Sequence, residues 1–319
     1  MRLCIVADPL ASFMYWKDTT RVMMHEAARR GHDLWVCEPR DLRWRRDEPV
    51  SAPMRPVTLL TEALDTPDWF ALGVPVTHAL RDLDVVLMRK DPPFDAEYLY
   101  ATHLLEQAER EGAVVSNRPR AIRDHSEKLA ILEFPEWIAP TLVTRDPTAL
   151  RAFHAEHGDV VFKPLDGMGG MGVFRIAANG LNLGAVIETL NVHGARTVMA
   201  QRFLPEIADG DKRLLLIDGV PAPYVLARRA TGNEFRANLA VGGVSTARPL
   251  SPRDAAIAAA LGPVLAARGL DLVGLDIIGD HLTEINVTSA GCFKEIQEQT
   301  GVRLGAMFLD AVEGMRRTR

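Results

Sequence analysis

The sequence predicts an α/β domain followed by an α+β region, and three observations lead to this fold class. Short apolar strands alternate with helices over residues 1–120, a pattern typical of a parallel sheet with helices on both faces. Beyond that point, strands and helices follow one another without regular alternation, which favours antiparallel sheets. The chain has 319 residues, so two or three subdomains are expected. The predicted parts are residues 1–122, 123–204 and 205–319.

The first part contains four strands and two helices that can be assigned from apolar runs and helix caps. Asp18 or Thr19 can cap one helix and Asp95 the other, because their side chains accept hydrogen bonds from the free N–H groups of a first turn. Residues 40–80 are rich in Pro, Arg and Asp, and we predict an irregular segment there. The strands are Leu3–Val6, Leu34–Cys37, Asp84–Met88 and Ala113–Ser116, and the helices end at Arg30 and Glu111.

Polar segments follow the first and third predicted strands, at residues 8–20 and 89–95. On parallel α/β sheets, ligands bind beyond the carboxyl ends of the strands, where both segments would lie. Residues 1–122 are therefore predicted to form a substrate-binding domain.

The remaining chain is predicted to combine hairpins with separate helices. Ser126 is expected to cap a new helix, and Asp218-Gly219 predicts the tip of a hairpin within residues 211–228. Residues 229–243 are polar and show no helical or strand period, and loops of this length are usually lids or binding loops. The other predicted strands are 141–144, 160–163, 172–176, 197–201, 270–278 and 282–287, and the other helices are 147–157, 182–193, 251–268 and around 302–316.

A glycine-rich loop follows the apolar strand that ends at Lys163. Glycines can turn backbone N–H groups onto phosphate oxygens, and the lysine adds a positive charge. The Walker and dinucleotide-binding patterns both require a helix after the loop, whereas here a second strand follows, so the loop is predicted to be a hairpin tip folded over its ligand. A flexible hairpin without a ligand is the alternative. The glycines are Gly167, Gly169, Gly170 and Gly172.

Two acids and an amide interrupt the apolar strands near residue 280. Asp276, Glu284 and Asn286 are oxygen donors of the kind that Mg²⁺ takes together with substrate phosphates. Glu284 and Asn286 share a face by the two-residue period of a strand. Asp276 joins them only if it pairs with Glu284, and we predict a turn of odd length at residues 279–281 that allows this. The alternative is that these acids are ordinary edge-strand residues.

Composition and charge exclude several classes of protein. The net charge is −5, whereas proteins that bind nucleic acid concentrate Lys and Arg on one face. Cys4, Cys37 and Cys292 are few and widely spaced, which suits a reducing compartment and gives neither a disulfide framework nor a zinc site. No apolar run approaches the ~20 residues of a membrane helix, and the first residues are expected to form a strand rather than a signal peptide. We expect a cytoplasmic protein with no nucleic-acid or membrane partner.

Six stretches in this order resemble ATP-grasp carboxylate–amine ligases, and specifically prokaryotic glutathione synthetases. The stretches are Met88-Arg-Lys-Asp-Pro-Pro-Phe-Asp95, Asn117-Arg-Pro119 with Glu127-Lys-Leu129, Lys163-Pro-Leu-Asp-Gly-Met-Gly-Gly170, Asp209-Gly-Asp-Lys-Arg213, Gly274-Leu-Asp-Ile-Ile-Gly-Asp280 and Leu282-Thr-Glu-Ile-Asn-Val-Thr-Ser289. The resemblance implies an ATP-grasp fold with an N-terminal substrate domain, a central subdomain carrying the glycine-rich loop and a C-terminal subdomain carrying the metal-binding strands.

The resemblance also implies roles for individual residues. The implied ATP-binding residues are Lys128, Lys163, Gly167, Gly169, Gly170, Gln201, Arg202, Phe203, Leu204, Asp211, Arg213 and Asn286. The implied ligands of two Mg²⁺ ions, with Mn²⁺ as an alternative, are Asp276, Glu284 and Asn286. The implied substrate-binding residues are Asp18, Arg89, Lys90, Arg213, Arg228, Thr288 and Ser289. The implied catalytic residues are Lys163, Arg228, Arg236 and Asn238, the last two in the predicted lid.

The implied reaction joins γ-glutamylcysteine to glycine with ATP, through an acyl phosphate, giving glutathione, ADP and phosphate. A homotetramer is implied by resemblance alone. The family usually has Pro after Thr-Ser, where this chain has Ala290, so the glycine-binding residues are the part of the resemblance that departs most. One alternative is another ATP-grasp ligase, such as a glutamate-adding or dipeptide ligase. The other is an ATP-binding regulatory protein without turnover, which would be expected to lose a metal carboxylate or a lid arginine.

Overall fold

Three β-sheets organise the chain in a computed structural model that describes residues 1–167, 169–230 and 243–318. The first sheet has a parallel centre, in the order β2-β1-β7-β8, and antiparallel strands continue it beyond β2 through β4. Its strands are β1 (Arg2–Val6), β2 (Asp33–Cys37), β3 (Arg43–Arg45), β4 (Glu48–Leu59), β5 (Phe70–Leu72), β6 (Val76–Ala79), β7 (Val85–Met88) and β8 (Val115–Ser116).

Helices cover both faces of the first sheet, as the strand–helix alternation predicts. Successive side chains of β1 point to opposite faces, so Leu3 and Ile5 join one core, and Cys4 and Val6 join another. Helix α1 (Thr19–Arg29) packs on the first of these cores and α2 (Ala96–Arg110) on the second. The predicted caps of both helices are confirmed, since Asp18 accepts a hydrogen bond from Arg21 N and Asp95 from Tyr98 N.

The prediction of an irregular segment over residues 40–80 is wrong. Strand β4 is 12 residues long and pairs with β2, β3, β5 and β6. Val50, Ala52 and Met54 are fully buried at the two-residue period of a strand. Pro49 and Pro53 occupy the alternate positions and hide this period, because proline normally argues against a strand. Proline is tolerated where its missing N–H is not needed by a neighbouring strand.

The second sheet is antiparallel and has a core of its own. Its strands, in the order β11-β10-β12-β9, are β9 (Thr141–Thr144), β10 (Val160–Pro164), β11 (Phe174–Ile176) and β12 (Val198–Arg202). Two helices, α4 (Pro147–His157) and α5 (Leu183–Asn191), pack on it. Asp146 caps α4 and gives it the predicted bounds.

The helix predicted to begin at Ser126 does not form. A short helix, α3 (Pro119–Asp124), comes earlier, and a turn at residues 127–129 leads into a 3-10 helix at Ala130–Glu133. The carbonyl of Glu127 accepts a hydrogen bond from Ile285 N at 2.9 Å. A contact distant in sequence therefore replaces the local helical pattern at this point.

The third sheet is also antiparallel and carries the remaining helices. Its strands are β13 (Asp211–Ile217), β14 (Val220–Pro221), β15 (Tyr224–Arg229), β16 (Val244–Pro249), β17 (Leu272–Ile278) and β18 (His281–Asn286), in the order β16-β15-β13-β17-β18 with β14 beside β13. The helices are α6 (Pro252–Ala267), α7 (Phe293–Thr300) and α8 (Leu304–Thr318). The hairpin tip at Asp218-Gly219 is confirmed, with positive φ at both residues as a tight hairpin turn requires.

The first and third sheets share their hydrophobic cores. One core combines β1, β7 and α2 with β13, β17 and α6, and the other combines α1 with α7 and α8. Asn117 adds a polar link, because its side-chain amide donates to Leu272 O and Val287 O and its carbonyl accepts from Leu272 N, all at 2.8 Å. Of the helices in the described part of the chain, none has the length and apolarity to cross a bilayer.

Candidate active site

Two cavities meet where the second and third sheets face each other. The smaller cavity, of about 150 Å³, lies between β10, the glycine-rich loop and the end of β12 on one side and β13, β17 and β18 on the other. The larger cavity, of about 310 Å³, extends from the third sheet to α1 and α7. Gly169, Asp276 and Glu284 line both cavities. Ligands bound in the two cavities would therefore meet at these three residues.

The glycine-rich loop is a hairpin tip between β10 and β11, as predicted, with Phe162 opposite Phe174. Gly169, Gly170 and Gly172 have φ of +60°, +81° and +70°, a conformation that side chains resist. A Cβ atom on Gly167 would lie 3.0 Å from the carbonyl oxygen of Met171, so a larger residue would push the loop open.

The smaller cavity brings together most of the residues that the resemblance assigns to ATP. Gln201 donates to Thr141 Oγ1 at 2.9 Å, and Arg175 stacks on the ring of Phe203 at 3.6 Å, so the strand end at residues 201–204 is fixed on both sides. The lining residues among those predicted are Lys128, Lys163, Gly167, Gly169, Gly170, Gln201, Arg202, Phe203, Leu204 and Asp211. The two others, Arg213 and Asn286, line the larger cavity.

Two lysines supply positive charge to the smaller cavity. Lys128 is buried and donates to the carbonyl of Gly167 and to Glu284 Oε1, the latter at 2.9 Å, so it joins the glycine-rich loop to β18. Lys163 Nζ lies 3.4 Å from Thr283 O. Burial lowers the pKa of Lys163 to about 8, against the opposing effect of the Glu284 carboxylate.

Asp276 pairs with Glu284, as predicted, but the predicted odd-length turn is wrong. Ile278 pairs with His281, so the turn has two residues, Gly279 and Asp280. Ile277 then pairs with Leu282 and Asp276 with Glu284, which leaves Thr283 as the extra residue of a β-bulge. The bulge shifts the register by one position and brings Asp276, Glu284 and Asn286 to the same face. Thr283 Oγ1 donates to Asp276 O at 3.1 Å within the bulge.

Asp276 lies in a buried cluster with two arginines. Arg213 donates to both of its oxygens at 2.6 and 3.0 Å, and Arg228 Nη2 lies 2.9 Å from Oδ1. Arg228 also donates to Asp211 Oδ2 at 2.6 Å. Burial alone would raise the pKa of Asp276, but the charges of Arg213 and Arg228 outweigh it and hold that pKa below its usual range. Burial raises the pKa of Asp211 to about 6.

The donor set at the junction of the two cavities fits a magnesium site that substrate phosphates complete. Asn286 Nδ2 donates to Gly274 O at 3.1 Å, which leaves its carbonyl oxygen for the cavity beside the carboxylates of Asp276 and Glu284. Two carboxylates and one amide are too few for a complete cation site, and no cluster of three or more His, Cys, Asp or Glu ligands occurs among residues 1–167, 169–230 and 243–318. Mg²⁺ commonly takes few protein ligands and the remainder from water and phosphate oxygens.

The larger cavity brings together six of the seven residues predicted to bind substrates. Arg89 is buried and donates to Thr20 Oγ1 and to Ala290 O, both at 3.1 Å, so it connects α1 with residues 288–291. The lining residues among those predicted are Asp18, Arg89, Arg213, Arg228, Thr288 and Ser289. Lys90 is not among the lining residues and instead forms an ion pair of 2.9 Å with Asp8. Burial raises the pKa of Asp18 to about 6.

Sequence reasoning assigned no site role to several polar residues that line the larger cavity, among them Lys17, Glu127, Cys292 and Glu295. Glu127 Oε1 accepts hydrogen bonds from Val287 N, Thr288 N and Thr288 Oγ1 at 2.8 to 3.1 Å, which fixes residues 287–288. The position of Glu127 next to Lys128 in the sequence is the signal that could have identified it. Cys292 and Glu295 were missed because α7 was not predicted. Burial raises the pKa of Cys292 to about 11, so this thiol is not an activated thiolate.

Two predicted catalytic residues lie outside the described part of the chain. Arg236 and Asn238 belong to the predicted lid at residues 229–243, of which residues 231–242 are not described.

Two family models cover nearly the whole chain. The N-terminal domain of prokaryotic glutathione synthetase matches residues 1–123, and the ATP-grasp domain of prokaryotic glutathione synthetase matches residues 127–301. The chain belongs to the prokaryotic glutathione synthetase family. It is therefore an ATP-grasp ligase, and the prediction of the family from six sequence stretches is confirmed.

Curated relatives of this family are similar to the chain over nearly its full length. The glutathione synthetase of Ralstonia nicotianae is 56% identical over 315 residues, covering 98% of this chain and 95% of that protein. The glutathione synthetase of Nitrosomonas europaea is 53% identical over 313 residues, covering 98% of each protein.

Solved structures confirm the ATP-grasp fold. D-cycloserine synthetase DcsG superimposes with a TM-score of 0.68 at 16% identity, covering 98% of this chain and 100% of that one. The ATP-grasp ligase PsnB in complex with a minimal precursor gives a TM-score of 0.62 at 20% identity, covering 98% and 99%. At these identities the similarity concerns the fold alone.

Proposed function

We propose that this chain joins γ-glutamylcysteine to glycine with ATP, giving glutathione, ADP and phosphate. The proposal is supported above all by the junction of the two cavities at Gly169, Asp276 and Glu284. A phosphoryl group carried in by a nucleotide in the smaller cavity would meet a carboxylate held in the larger one. The proposal also draws on full-length relatives named glutathione synthetase.

The nucleotide is proposed to lie in the smaller cavity with its phosphates towards the junction. Residues 201–204 would contact the adenine, and the N–H groups of the glycine-rich loop would bind phosphate oxygens. Lys128 and Lys163 would balance phosphate charge. Lys128 is paired with Glu284, so phosphate binding would draw Lys128 away from that carboxylate.

Asp276, Glu284 and Asn286, together with the phosphates, are proposed to hold two Mg²⁺ ions. Mn²⁺ is proposed as a substitute for Mg²⁺. When bound, the metal neutralises charge on the phosphates and on the group being transferred. Arg213 and Arg228 hold the Asp276 carboxylate in place by buried hydrogen bonds, which fixes its oxygens before any ligand arrives.

The cysteinyl carboxylate of γ-glutamylcysteine is proposed to attack the γ-phosphorus of ATP, forming an acyl phosphate and releasing ADP. Arg228 and Arg213 line the larger cavity at the junction and would stabilise the negative charge of this step. The glycine amine, having lost a proton, would then attack the acyl carbon, and phosphate would leave. Asp18, Arg89, Thr288 and Ser289, which line the larger cavity, would position the two amino-acid substrates, whereas Lys90 does not line it and is paired with Asp8.

An acyl phosphate also reacts with water, so the reaction needs a cover over the junction. Residues 229–243 are proposed to be this lid, with Arg236 and Asn238 contacting the intermediate. The proposed setting is the cytoplasm, and the proposed assembly is a homotetramer.

Release of ADP by the purified full chain with ATP, Mg²⁺ and γ-glutamylcysteine, with and without glycine, tests the proposed reaction. The expected result is glycine-dependent ADP release with a product of the mass of glutathione. Turnover only with another acid or amine would agree with ligase activity but would contradict the proposed substrates. ATP binding without turnover would favour a regulatory protein. The matched pair Lys163→Met and Lys212→Met separates loss of the proposed phosphate contact from loss of a partly buried lysine in general. Lys212 pairs with Asp254 and lines neither cavity.

A further inference from the structure

Lys17 and Glu295 both line the larger cavity, and neither forms an ion pair within residues 1–167, 169–230 and 243–318. Lys17 lies in the loop before α1, and Glu295 lies in the first turn of α7. Glu295 Oε2 is buried and has no hydrogen-bond partner. Most buried polar atoms of native proteins are hydrogen-bonded, so an unpaired carboxylate oxygen in a cavity wall indicates a donor that a ligand supplies.

Other carboxylates of the same cavity already have donors from the chain. Asp276 is paired with two arginines and Glu284 with Lys128. Glu127 accepts three hydrogen bonds from residues 287–288, and Asp18 accepts one from Arg21 N. Glu295 therefore differs from them in having a buried oxygen still free to accept a hydrogen bond from a ligand.

The chain fixes Lys17 and Glu295 beside each other through their sequence neighbours. Lys294 Nζ donates to the carbonyl of Trp16 at 2.6 Å, and Phe293 N donates to Thr19 Oγ1 at 3.2 Å. These two contacts dock the loop before α1 onto the start of α7. A positive and a negative side chain thus line one part of the cavity wall without forming an ion pair with each other.

These groups lie on different elements from those that carry the reacting carboxylate. Asp276 and Glu284 are on β17 and β18, whereas Lys17 and Glu295 are on the loop before α1 and on α7. Cys292 lines the cavity between them, and its thiol is close enough to Arg213 and to Glu295 for both charges to influence its pKa. A ligand whose carboxylate reaches the junction would extend its opposite end towards Lys17 and Glu295.

We propose that Glu295 and Lys17 recognise the free amino-acid end of the γ-glutamyl group, with Glu295 accepting hydrogen bonds from its α-ammonium and Lys17 binding its α-carboxylate. This inference rests on the proposed function. γ-Glutamylcysteine carries the reacting carboxylate at one end and this zwitterion at the other. Glycine cannot offer its ammonium group to Glu295 during the reaction, because its amine must reach the acyl carbon. Burial raises the pKa of Glu295, and a bound ammonium group would reverse that cost.

The test uses the wild-type chain and compares three compounds that supply the carboxylate to be joined to glycine. The first is γ-glutamylcysteine, the second is glutarylcysteine, which lacks the α-ammonium, and the third is 4-aminobutanoylcysteine, which lacks the α-carboxylate. The measured quantity is kcat/KM from glycine-dependent ADP release. We expect each analogue to lose about 10- to 100-fold in kcat/KM, because a hydrogen bond to a charged group contributes about 1.5 to 3 kcal/mol. Equal use of glutarylcysteine and γ-glutamylcysteine by the wild type would overturn the proposal without any variant.

Glu295→Gln and Lys17→Gln then assign each group to its partner. Glu295→Gln should lose activity on γ-glutamylcysteine by the same factor as the wild type loses on glutarylcysteine, and should no longer distinguish these two substrates. It should still reject 4-aminobutanoylcysteine. Lys17→Gln should show the opposite pattern. If the loss in kcat/KM caused by the variant and the loss caused by the analogue multiplied, the two changes would act independently. That result would contradict direct contact between the side chain and the group that the analogue lacks.

Glu97→Gln is the matched control, because Glu97 is also an acid in the first turn of a helix and lines neither cavity. It should leave all three kcat/KM values unchanged. The KM values for ATP and glycine should change little in Glu295→Gln, whereas a general loss of structure would change them together with the thermal midpoint. Formation of glutathione by the wild type is measured first, so that failure of the proposed function is recognised before the analogues are compared.

Discussion

Asp276 and Glu284 are opposite one another on adjacent strands, yet their partners give them different structural roles. Asp276 is buried and hydrogen-bonded to Arg213 and ion-paired with Arg228, whereas Glu284 is partly exposed and bonded to Lys128. Removal of one member of a buried ion cluster leaves the others uncompensated, and this costs more than breaking a half-exposed pair. Replacement of Asp276 should therefore lower the stability of the chain more than replacement of Glu284, even if both carboxylates are needed for activity.

We expect Asp276→Asn to destabilise the free chain by roughly 3 kcal/mol, because two buried arginines lose their counter-ion. Glu284→Gln should cost about 1 kcal/mol. Both variants should lower kcat by about 100-fold or more, since each removes a proposed metal ligand. Urea unfolding without nucleotide measures the first difference and ADP release the second. Equal stabilities of the two variants would contradict the assigned ion pairs.

If Lys163 contacts the phosphates as proposed, nucleotide affinity should depend on pH. Its pKa is lowered to about 8, so the free chain loses this positive charge as the pH rises through that value. Because phosphates bind the protonated lysine, the Kd for a non-hydrolysable ATP analogue should rise above pH ~8 by up to about tenfold per unit. Lys163→Arg keeps its charge throughout this range and should show a flat profile. The same rise in Lys163→Arg would assign the titration to another group.

The elements that sequence reasoning found are those whose own residues specify them. Helix α4 has a cap at Asp146 and an uninterrupted helical pattern, and its bounds match the prediction. Strand β4 was missed because its prolines hide the period of Val50, Ala52 and Met54. At residues 127–129, the hydrogen bond from Ile285 N to Glu127 O decides the local structure, and the local pattern contains no sign of it.

The acidic residues at the junction between the cavities could be predicted from the sequence, but their geometry could not. The acids at positions 276 and 284 were recognisable because charge in an apolar strand is costly without a partner. The bulge at Thr283 was not, since a bulge and an odd-length turn give the same pairing of Asp276 with Glu284. The arginine partners of Asp276 also could not be predicted, because β13 and β15 reach it only through the order of strands in the sheet.

The turn between β13 and β14 contacts α6 through two glycines. A Cβ atom on Gly262 would lie 2.2 Å from Gly219 O, and one on Gly219 would lie 2.8 Å from Gly262 O. Neither backbone can yield without moving the turn or the helix. Close packing at this contact therefore requires glycine at both positions, although glycine within a helix is otherwise unfavourable.

Gly262→Ala should consequently destabilise the chain by about 2 to 3 kcal/mol, against the usual gain from alanine in a helix. Gly314→Ala in α8 is the matched control, because nothing lies within 4 Å of the added Cβ there. It should be neutral or more stable by about 0.5 to 1 kcal/mol. Thermal unfolding of both variants is the measurement. A stabilised Gly262→Ala would show that α6 does not pack closely on the turn.

At the scale of the whole molecule, we expect the three sheets to behave as two cooperative bodies. The first and third sheets share both large cores, so the strands of these two sheets should unfold together. The second sheet has a core of its own around Leu150, Phe162 and Ile187, and only the other face of this sheet, through Met199, reaches a large core. The smaller cavity lies between these bodies, so a nucleotide would bridge them and should stabilise both.

Two asparagines with equivalent hydrogen bonding test this division. Asn117 makes three side-chain hydrogen bonds between the first and third sheets, to Leu272 and Val287. Asn191 makes three within the second sheet's own unit, to Arg145, Gly194 and Arg196. Replacement of either by alanine removes bonds worth about 1 kcal/mol each and leaves backbone groups unpaired, for a loss of roughly 3 kcal/mol.

Hydrogen exchange followed by mass spectrometry should locate each loss. Asn117→Ala should lower protection in β1, β7 and β17 together and leave α5 and β10 nearly unchanged. Asn191→Ala should lower protection in α5 and β10 and leave β1 and β17 as in the wild type, because the second core unfolds without the other two. If Asn191→Ala weakened all of these strands equally, the chain would be a single cooperative body, and the smaller cavity could not open by movement of the second sheet alone.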